Sequence, residues 1–404
     1  MPHTLCLPRA VSSGVACSTK NGVPGGIDMK KYRITTLATL AGLASAAFLA
    51  ASATTPASAA PTAPSGPPLS STTTAVRAPV TNPATGRTYA PTSTTNTAKL
   101  TATGGDPAVT AYWTPERLKN AIPADTPAST ARVNKQVNEL ERRASSDKPL
   151  TIGSSPVAAT STKITPQAAP PVTNFSKTNG KVFFHNQSDG KDYVCSGSSI
   201  NSSSKRLVVT AGHCVYGAPG NKWHSNWVFM PGYSKGAAYG SYQAAVLRTF
   251  TDWINYGESG RGFNSDVAFV TTYNGSTSRA AVVNAVGGHG FEWGGGFGFD
   301  VSIFGYPANR NGGQIMWACW GTSGTGWTGT YRFNRISGCN FGGGSSGGPW
   351  LNRYSNTSGL GYVRSVTSHG PAKSTAYIQG PYFDSRVNDL FVAANNDWKT
   401  HNHG

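Results

Sequence analysis

Residues 171–404 are predicted to form an all-β fold, two packed antiparallel β-barrels of which the second is followed by a C-terminal helix. Three observations lead there. Short apolar runs at 181–184, 193–200, 206–209, 227–230, 244–250, 267–272, 301–304, 314–317, 331–333, 362–367 and 376–378 are separated by Gly- and Asn-rich turns. That many strands in one segment exceed a single sandwich and suit a pair of barrels. Only the last segment changes period: Val387, Leu390, Phe391 and Ala394 stand at helical spacing.

The rest of the 404 residues has another composition. Residues 1–28 precede a second methionine and read as an extension, or as a start assigned too far upstream. Residues 29–59 read as a secretory signal. Lys30, Lys31 and Arg33 form a positive region, 37–51 an apolar core, and Ala57-Ser58-Ala59 a small-residue cleavage site. The apolar core is shorter than the ~20 residues that a membrane-spanning helix needs. Residues 60–170 are rich in Pro, Thr, Ala and Ser and read as a disordered linker and pro-segment with short helices. Thr114 and Pro115 suit the N-cap and first position of one helix. Val133, Val137, Leu140 and Ala144 suit the apolar face of another. An inhibitory or folding pro-segment and a passive tether are both open, with a mature N-terminus expected between about 160 and 180.

Charge excludes one class of partner. The chain carries 34 Lys+Arg against 17 Asp+Glu. From residue 171 onward the basic residues are scattered, with no run of five or six, so no nucleic-acid patch is expected. Polypeptide substrates, no nucleic acid, no membrane after signal removal and a monomeric state are the expectations.

Four cysteines follow the signal, Cys195, Cys214, Cys319 and Cys339. An even number in an exported chain implies two disulfides. Three pairings are possible; pairing nearest neighbours closes loops of roughly 20 residues, worth about 3 kcal/mol each. The spacings contain no C-x-x-C and no H-x₃₋₅-H, so neither a metal nor another cofactor is expected.

Three strings carry chemistry. Gly344-Ser345-Ser346-Gly347-Gly348-Pro349 sets a serine in a tight glycine turn. A serine hydroxyl needs an adjacent base to become a nucleophile, and Ser346 is the candidate. The same turn aims the N–H groups of Gly344 and Ser346 at one point, an oxyanion hole. Thr210-Ala211-Gly212-His213-Cys214 offers His213 as the base. Asp266 heads the apolar run Val267-Ala268-Phe269-Val270 and would hold the imidazole tautomer. Asp300, before Val301-Ser302-Ile303-Phe304, is its best rival. The chain order His, Asp, Ser differs from the subtilisin and α/β-hydrolase orders.

At these strings residues from about 175 to 395 resemble a trypsin-like, chymotrypsin-fold serine peptidase. Phe304-Gly305-Tyr306-Pro307 with Ile315-Met316-Trp317 is similar to the bacterial secreted V8-like, glutamyl-endopeptidase branch. The resemblance implies a triad in the cleft between two barrels, an acyl-enzyme and maturation of a secreted, extracellular precursor. It places Thr367, Ser368 and His369 along the bound peptide, with residues 340–343 as one wall of the P1 pocket. His369 is then a candidate to face a P1 carboxylate, and small or aromatic P1 residues are the competing reading. One position departs from the family. Where most members carry an aspartate before the nucleophile, this chain has Ser345, so the activating salt bridge to a new N-terminus is not expected. The reading is a secreted serine endopeptidase. A catalytically silent homologue acting as a binding protein is the alternative, and an esterase using the same triad is less supported. The glycine-rich stretch 287–298 reads equally as a loop beside the cleft or a surface turn.

Overall fold

The computed structural model describes residues 69–91, 104–124, 149–160, 175–218, 221–328, 331–371 and 375–402. The signal at 29–59, the upstream residues with Cys6 and Cys17, and the helix expected across 133–144 lie outside them.

Six strands close the first barrel. Asn179–Asn186, Lys191–Ile200, Leu207–Thr210, Ala268–Thr272, Tyr242–Phe250 and Ser225–Pro231 pair in that spatial order, and the last returns to the first. Val182, Phe184, Val208, Phe229, Leu247 and Val270 fill it. The register that matters is Thr210 opposite Ala268 in an antiparallel pair. It brings the residues just after one strand and just before the other, His213 and Asp266, to the same end of the barrel.

The second half is two sheets instead of one closed ladder. The larger runs Trp317–Thr322, Asp300–Gly305, Pro349–Ser355, Leu360–Val366, Gly290–Gly294 and Leu150–Ser154; the smaller runs Gly324–Thr328, Tyr331–Ser337 and Tyr377–Pro381. Ser323 is the corner between them on one side, its Oγ donating to Phe297 O. The disulfide Cys319–Cys339 ties the two sheets together, and Cys195–Cys214 ties the His213 turn to its neighbouring strand. Ser385–Asn402 forms the expected C-terminal helix, with Val387, Leu390, Phe391 and Ala394 buried. Among the described residues no helix is long and apolar enough to cross a membrane.

Two expectations change. The stretch 287–298 is neither loop nor turn along its whole length, because Gly290–Gly294 is a strand paired on both sides. The run at 314–317 begins three residues too early: Gln314 caps a short 3₁₀ turn, and the strand starts at Trp317.

The larger correction concerns residues 60–170. Within them 69–91, 104–124 and 149–160 are ordered against the barrels and are not a disordered linker. Thr73–Arg77 pairs along all five residues with Tyr242–Phe250. Leu150–Ser154 pairs with Gly290–Gly294. Thr114 and Pro115 cap a helix as read, Pro115–Asn120, and Asp106 caps the one before it, Pro107–Tyr112. Side chains add to the docking. Trp113 Nε1 donates to Asn226 O at 2.7 Å, and its ring packs 5.7 Å from Phe183. Tyr112 donates to Asp192 at 2.6 Å, and Asp192 also accepts from Arg117 at 2.7 Å. Composition hid this because edge pairing uses backbone groups, for which Thr and Ser serve as well as Val. A passive tether would tolerate Trp113→Ala. The docked segment predicts a loss of about 3–5 kcal/mol in denaturant unfolding of the full chain.

Lys181 is an unusual member of the first barrel, fully buried at 1% exposure. Its Nζ donates to Gly313 O at 2.8 Å and lies 5.1 Å and 5.0 Å from the Phe183 and Tyr233 rings. Burial lowers its pKa from 10.5 to about 8. Between those values the unfolded chain holds a proton that the folded chain has lost, so stability rises with pH across that window. Lys181→Met is expected to flatten that rise. At pH 7 it should stabilise by about 2 kcal/mol, the shift being worth about 3 and the lost hydrogen bond about 1. Thermal melts from pH 7 to 10.5 measure both.

Candidate active site

The His213 turn is built for close approach. Leu207–Thr210 ends in the 3₁₀ turn Gly212–Cys214, held by the disulfide to Cys195. A Cβ on Gly212 would stand 3.0 Å from Asp266 Oδ1 and 2.9 Å from Trp253 Cγ, so only glycine lets this turn settle against the aspartate. His213 then makes two bonds to one carboxylate. Its backbone N–H donates to Asp266 Oδ1 at 2.8 Å, and Nδ1 lies 2.8 Å from Oδ2. Asp266 is wholly buried, while the His213 side chain keeps 16% of its surface exposed.

Asp266 has a third donor, Ser368 Oγ at 2.6 Å from Oδ2. Burial pushes this carboxyl up, but the facing His213 and the three hydrogen bonds outweigh it and hold it below the ordinary carboxylate range. The arrangement keeps a negative charge behind an imidazole whose Nδ1 is committed as donor. That leaves Nε2 as the proton acceptor. Trp253 packs near the pair, its ring centroid 6.0 Å from that of His213 and its Nε1 donating to Tyr216 O. Glu258 also faces the pair. Burial raises its carboxyl, Asp266 adds to the rise and His213 opposes it.

Ser346 is delivered from the other half of the molecule. Its turn precedes the strand Pro349–Ser355, and both ends are latched. Gly347 N donates to Thr367 O at 2.7 Å, and Thr367 N to Gly348 O at 2.9 Å. Gly347 has φ +78°, and a Cβ there would meet Thr210 Oγ1 at 2.1 Å and Ser196 O at 2.4 Å. The serine loop therefore rests directly on the strand that leads to His213. Ser346 O accepts from Ser196 N at 2.7 Å and lies 3.8 Å from Cys214 Sγ.

Ser196 is the fastener that sequence reading missed. Besides that N–H, its Oγ donates to Gly344 O at 2.8 Å and accepts from Tyr306 N at 2.9 Å, while its own carbonyl accepts from Thr210 Oγ1. One buried serine thus links the histidine strand, the serine loop and the second sheet. Nothing local marks it among the serines of 196–204. In the same loop Gly343 O accepts from Ala308 N at 2.7 Å, and since the peptide is planar and trans the Gly344 N–H faces the opposite side. Ser345 Oγ closes the loop onto Gly342 O at 2.7 Å.

The remaining sequence candidates divide. Thr367 lies beside the serine loop, Trp350 Nε1 donating to its Oγ1. Ser368 backs Asp266 with its side chain, Oγ donating to Oδ2 at 2.6 Å. His369 departs from expectation. Its ring stacks on Phe263 at 4.0 Å and meets Phe333 edge-on at 5.1 Å, with Nδ1 3.2 Å from Ser368 Oγ and Nε2 3.0 Å from Gln379 Nε2. Burial lowers its pKa to about 4. A neutral ring with both nitrogens engaged is a poor receptor for a P1 carboxylate. Asp300, the rival to Asp266, bonds Thr322 Oγ1 at 2.9 Å at the far end of its strand. The sulfurs of Cys195 and Cys214 approach His213 within a cluster of 4.8 Å, but they are bonded to each other and offer no thiolate to a metal.

A closed six-stranded barrel, a second two-sheet half and a His–Asp pair beside a glycine-turn serine are the architecture of the chymotrypsin fold. No family model matches the chain, and no curated protein does. Among solved structures it is similar to the protease Anisep from Arthrobacter nicotinovorans, at 30% identity over 59% of this chain and 99% of that one, TM-score 0.48. It is also similar to a thermostable serine protease AL20 from an extremophilic microorganism, at 31% over 55% and 98%, TM-score 0.48. A Glu endopeptidase follows at 20% over 56% and 95%, TM-score 0.43. The first two likenesses run along nearly the whole length of those chains.

Proposed function

We propose that the protein is a secreted serine endopeptidase, made as a precursor, that cleaves peptide bonds through Ser346, His213 and Asp266. The observation that carries this is the pair of hydrogen bonds from His213 to a buried Asp266 beside the latched Ser346 loop. Ser346 Oγ attacks the scissile carbonyl while His213 Nε2 takes its proton. The tetrahedral oxyanion is received by the N–H groups of Gly344 and Ser346, each worth about 10²–10³ in rate. His213 then gives the proton to the leaving amine, and water releases the acyl group by the same steps reversed. Asp266 stays ionised and stabilises the imidazolium.

The described segments within 60–170 serve as a structural clasp of the precursor, supported by the pairing of Thr73–Arg77 with the first barrel and of Leu150–Ser154 with the larger sheet of the second half. Placement in the V8-like branch rests on the Phe304-Gly305-Tyr306-Pro307 string. Uncharged P1 residues are favoured over Glu and Asp, because His369 is neutral and its nitrogens are engaged. The test is labelling of the full secreted chain by a fluorophosphonate, beside a peptide panel with Glu, Phe, Ala or Lys at P1. Labelling with fastest cleavage after Phe or Ala supports the proposal, and preference for Glu overturns the pocket reading. A chain that neither labels nor cleaves, before or after removal of the pro-segment, is a binding homologue.

A further inference from the structure

We propose that His369, Gln379 and Arg335 are positioning residues for the reaction, forming with Ser368 a one-way hydrogen-bond relay that ends on Asp266. This deepens the peptidase reading and rests on it. The row is set by backbone register. Arg335 lies directly opposite Gln379 in the pair of Tyr331–Ser337 with Tyr377–Pro381. Gln379 in turn exchanges backbone bonds with His369, Gln379 N to His369 O at 2.8 Å and His369 N to Gln379 O at 3.2 Å. The side chains follow the same line, with Arg335 Nε 3.1 Å from Gln379 Oε1, Gln379 Nε2 3.0 Å from His369 Nε2, His369 Nδ1 3.2 Å from Ser368 Oγ, and Ser368 Oγ 2.6 Å from Asp266 Oδ2.

The two ends fix every direction between them. A guanidinium only donates, so the amide of Gln379 must present its oxygen to Arg335 and its NH₂ to His369. That NH₂ only donates, so His369 Nε2 must accept, and its proton sits on Nδ1. Nδ1–H then donates to Ser368 Oγ. The serine proton has one acceptor left, the Asp266 carboxylate. Each donor is polarised by the one behind it, starting from a cation whose guanidinium stacks 4.2 Å over Tyr377. The relay holds Ser368 in the rotamer that pins Asp266 Oδ2, and Oδ2 is the oxygen that orients the His213 ring.

The environment keeps His369 in the required state. Its ring is held between Phe263 and Phe333, and burial sets its pKa near 4, so it stays neutral at working pH. The charged and titratable groups around the row are His213 and Asp266 at one end and Arg335 at the other, with Glu258 facing the His213–Asp266 pair. An imidazolium would set two donors, Nε2–H and the Gln379 amide, against each other and break the row.

The experiment uses the full chain in two parallel arms. In the first, histidine is ¹⁵N-labelled in the Ser346→Ala background, and His369 is assigned by its loss in His369→Phe, which keeps an aromatic ring in the stack. The expected result is the Nδ1–H tautomer in the parent and the Nε2–H tautomer in Gln379→Glu, whose two oxygens can only accept. In the second, kinetics of the active chain with His369→Phe and Gln379→Glu are expected to show kcat reduced roughly five-fold with KM within two-fold. An Nε2–H tautomer in the parent overturns the relay, and so does a kcat unchanged in both variants. A Ser346→Ala chain with the Nδ1–H tautomer, beside a chain with Ser346 intact that hydrolyses no peptide, keeps the relay and overturns the peptidase reading instead.

Discussion

Ser346→Ala is expected to lower kcat/KM by about 10⁶ while leaving the thermal midpoint within a few degrees. The size follows from the way the site is divided. The serine contributes its side chain to chemistry and its backbone to structure. Its carbonyl is held by Ser196 N at 2.7 Å, and the flanking Gly347 and Gly348 are latched to Thr367. Removing Oγ therefore leaves the loop in place. It also leaves the Gly344 and Ser346 N–H groups, so a residual rate about 10³–10⁴ above water should survive. Steady-state kinetics on the best peptide, paired with a melting curve, separate this outcome from unfolding. A variant that keeps more than about a tenth of the activity would remove Ser346 from the mechanism.

The second large effect belongs to Asp266→Asn, for which kcat should fall about 10⁴. The geometry says why so conservative a change costs so much. Oδ1 accepts from the His213 backbone N–H, whereas Oδ2 accepts from His213 Nδ1 and Ser368 Oγ. An asparagine must keep its oxygen toward the backbone N–H, because NH₂ there would face another donor. The NH₂ then points at Nδ1 and forces it to accept. The proton moves to Nε2, the nitrogen that has to receive the Ser346 proton, and the base is blocked. Binding should change little, so the loss belongs in kcat and not in KM. Histidine ¹⁵N shifts report the tautomer of His213 directly, and an Nδ1–H form in an inactive Asp266→Asn chain would rule this explanation out.

The two catalytic strings with glycine were legible because their chemistry and their backbone needs are written in the same few letters. Gly212 permits the approach to Asp266, and Gly347 permits the approach to Thr210 and Ser196. A reader of the sequence sees the glycines and the reactive residue together. Asp266 was legible for a related reason, since an acid heading an apolar strand is placed at a barrel end by the strand itself. The pairing of Cys195 with Cys214 and Cys319 with Cys339 followed the shorter loops, which here are adjacent in the barrels as well.

Ser196, Gln379 and the N-terminal clasp were not legible. Ser196 looks like every other serine in a polar run, and its importance comes from four bonds, three of them to partners far along the chain. The segment around Thr73–Arg77 has the composition of a linker. It is ordered because Tyr242–Phe250 offers it an open row of backbone groups and because Trp113 and Tyr112 find sites on the barrel surface. His369 shows the opposite failure. Its position in the strand pointed to a substrate contact, but the ring is folded between Phe263 and Phe333 and its nitrogens face Ser368 and Gln379.

The sequence by itself determined the fold class and singled out His213, Asp266 and Ser346 as candidates, because strand period, turn glycines and side-chain reactivity are local properties. The tertiary structure alone decided which serine fastens the two halves, which way each hydrogen bond runs, and that the Thr- and Pro-rich N-terminal segment is part of the folded body. Those are matters of register and of partners on other strands, and no local pattern encodes them.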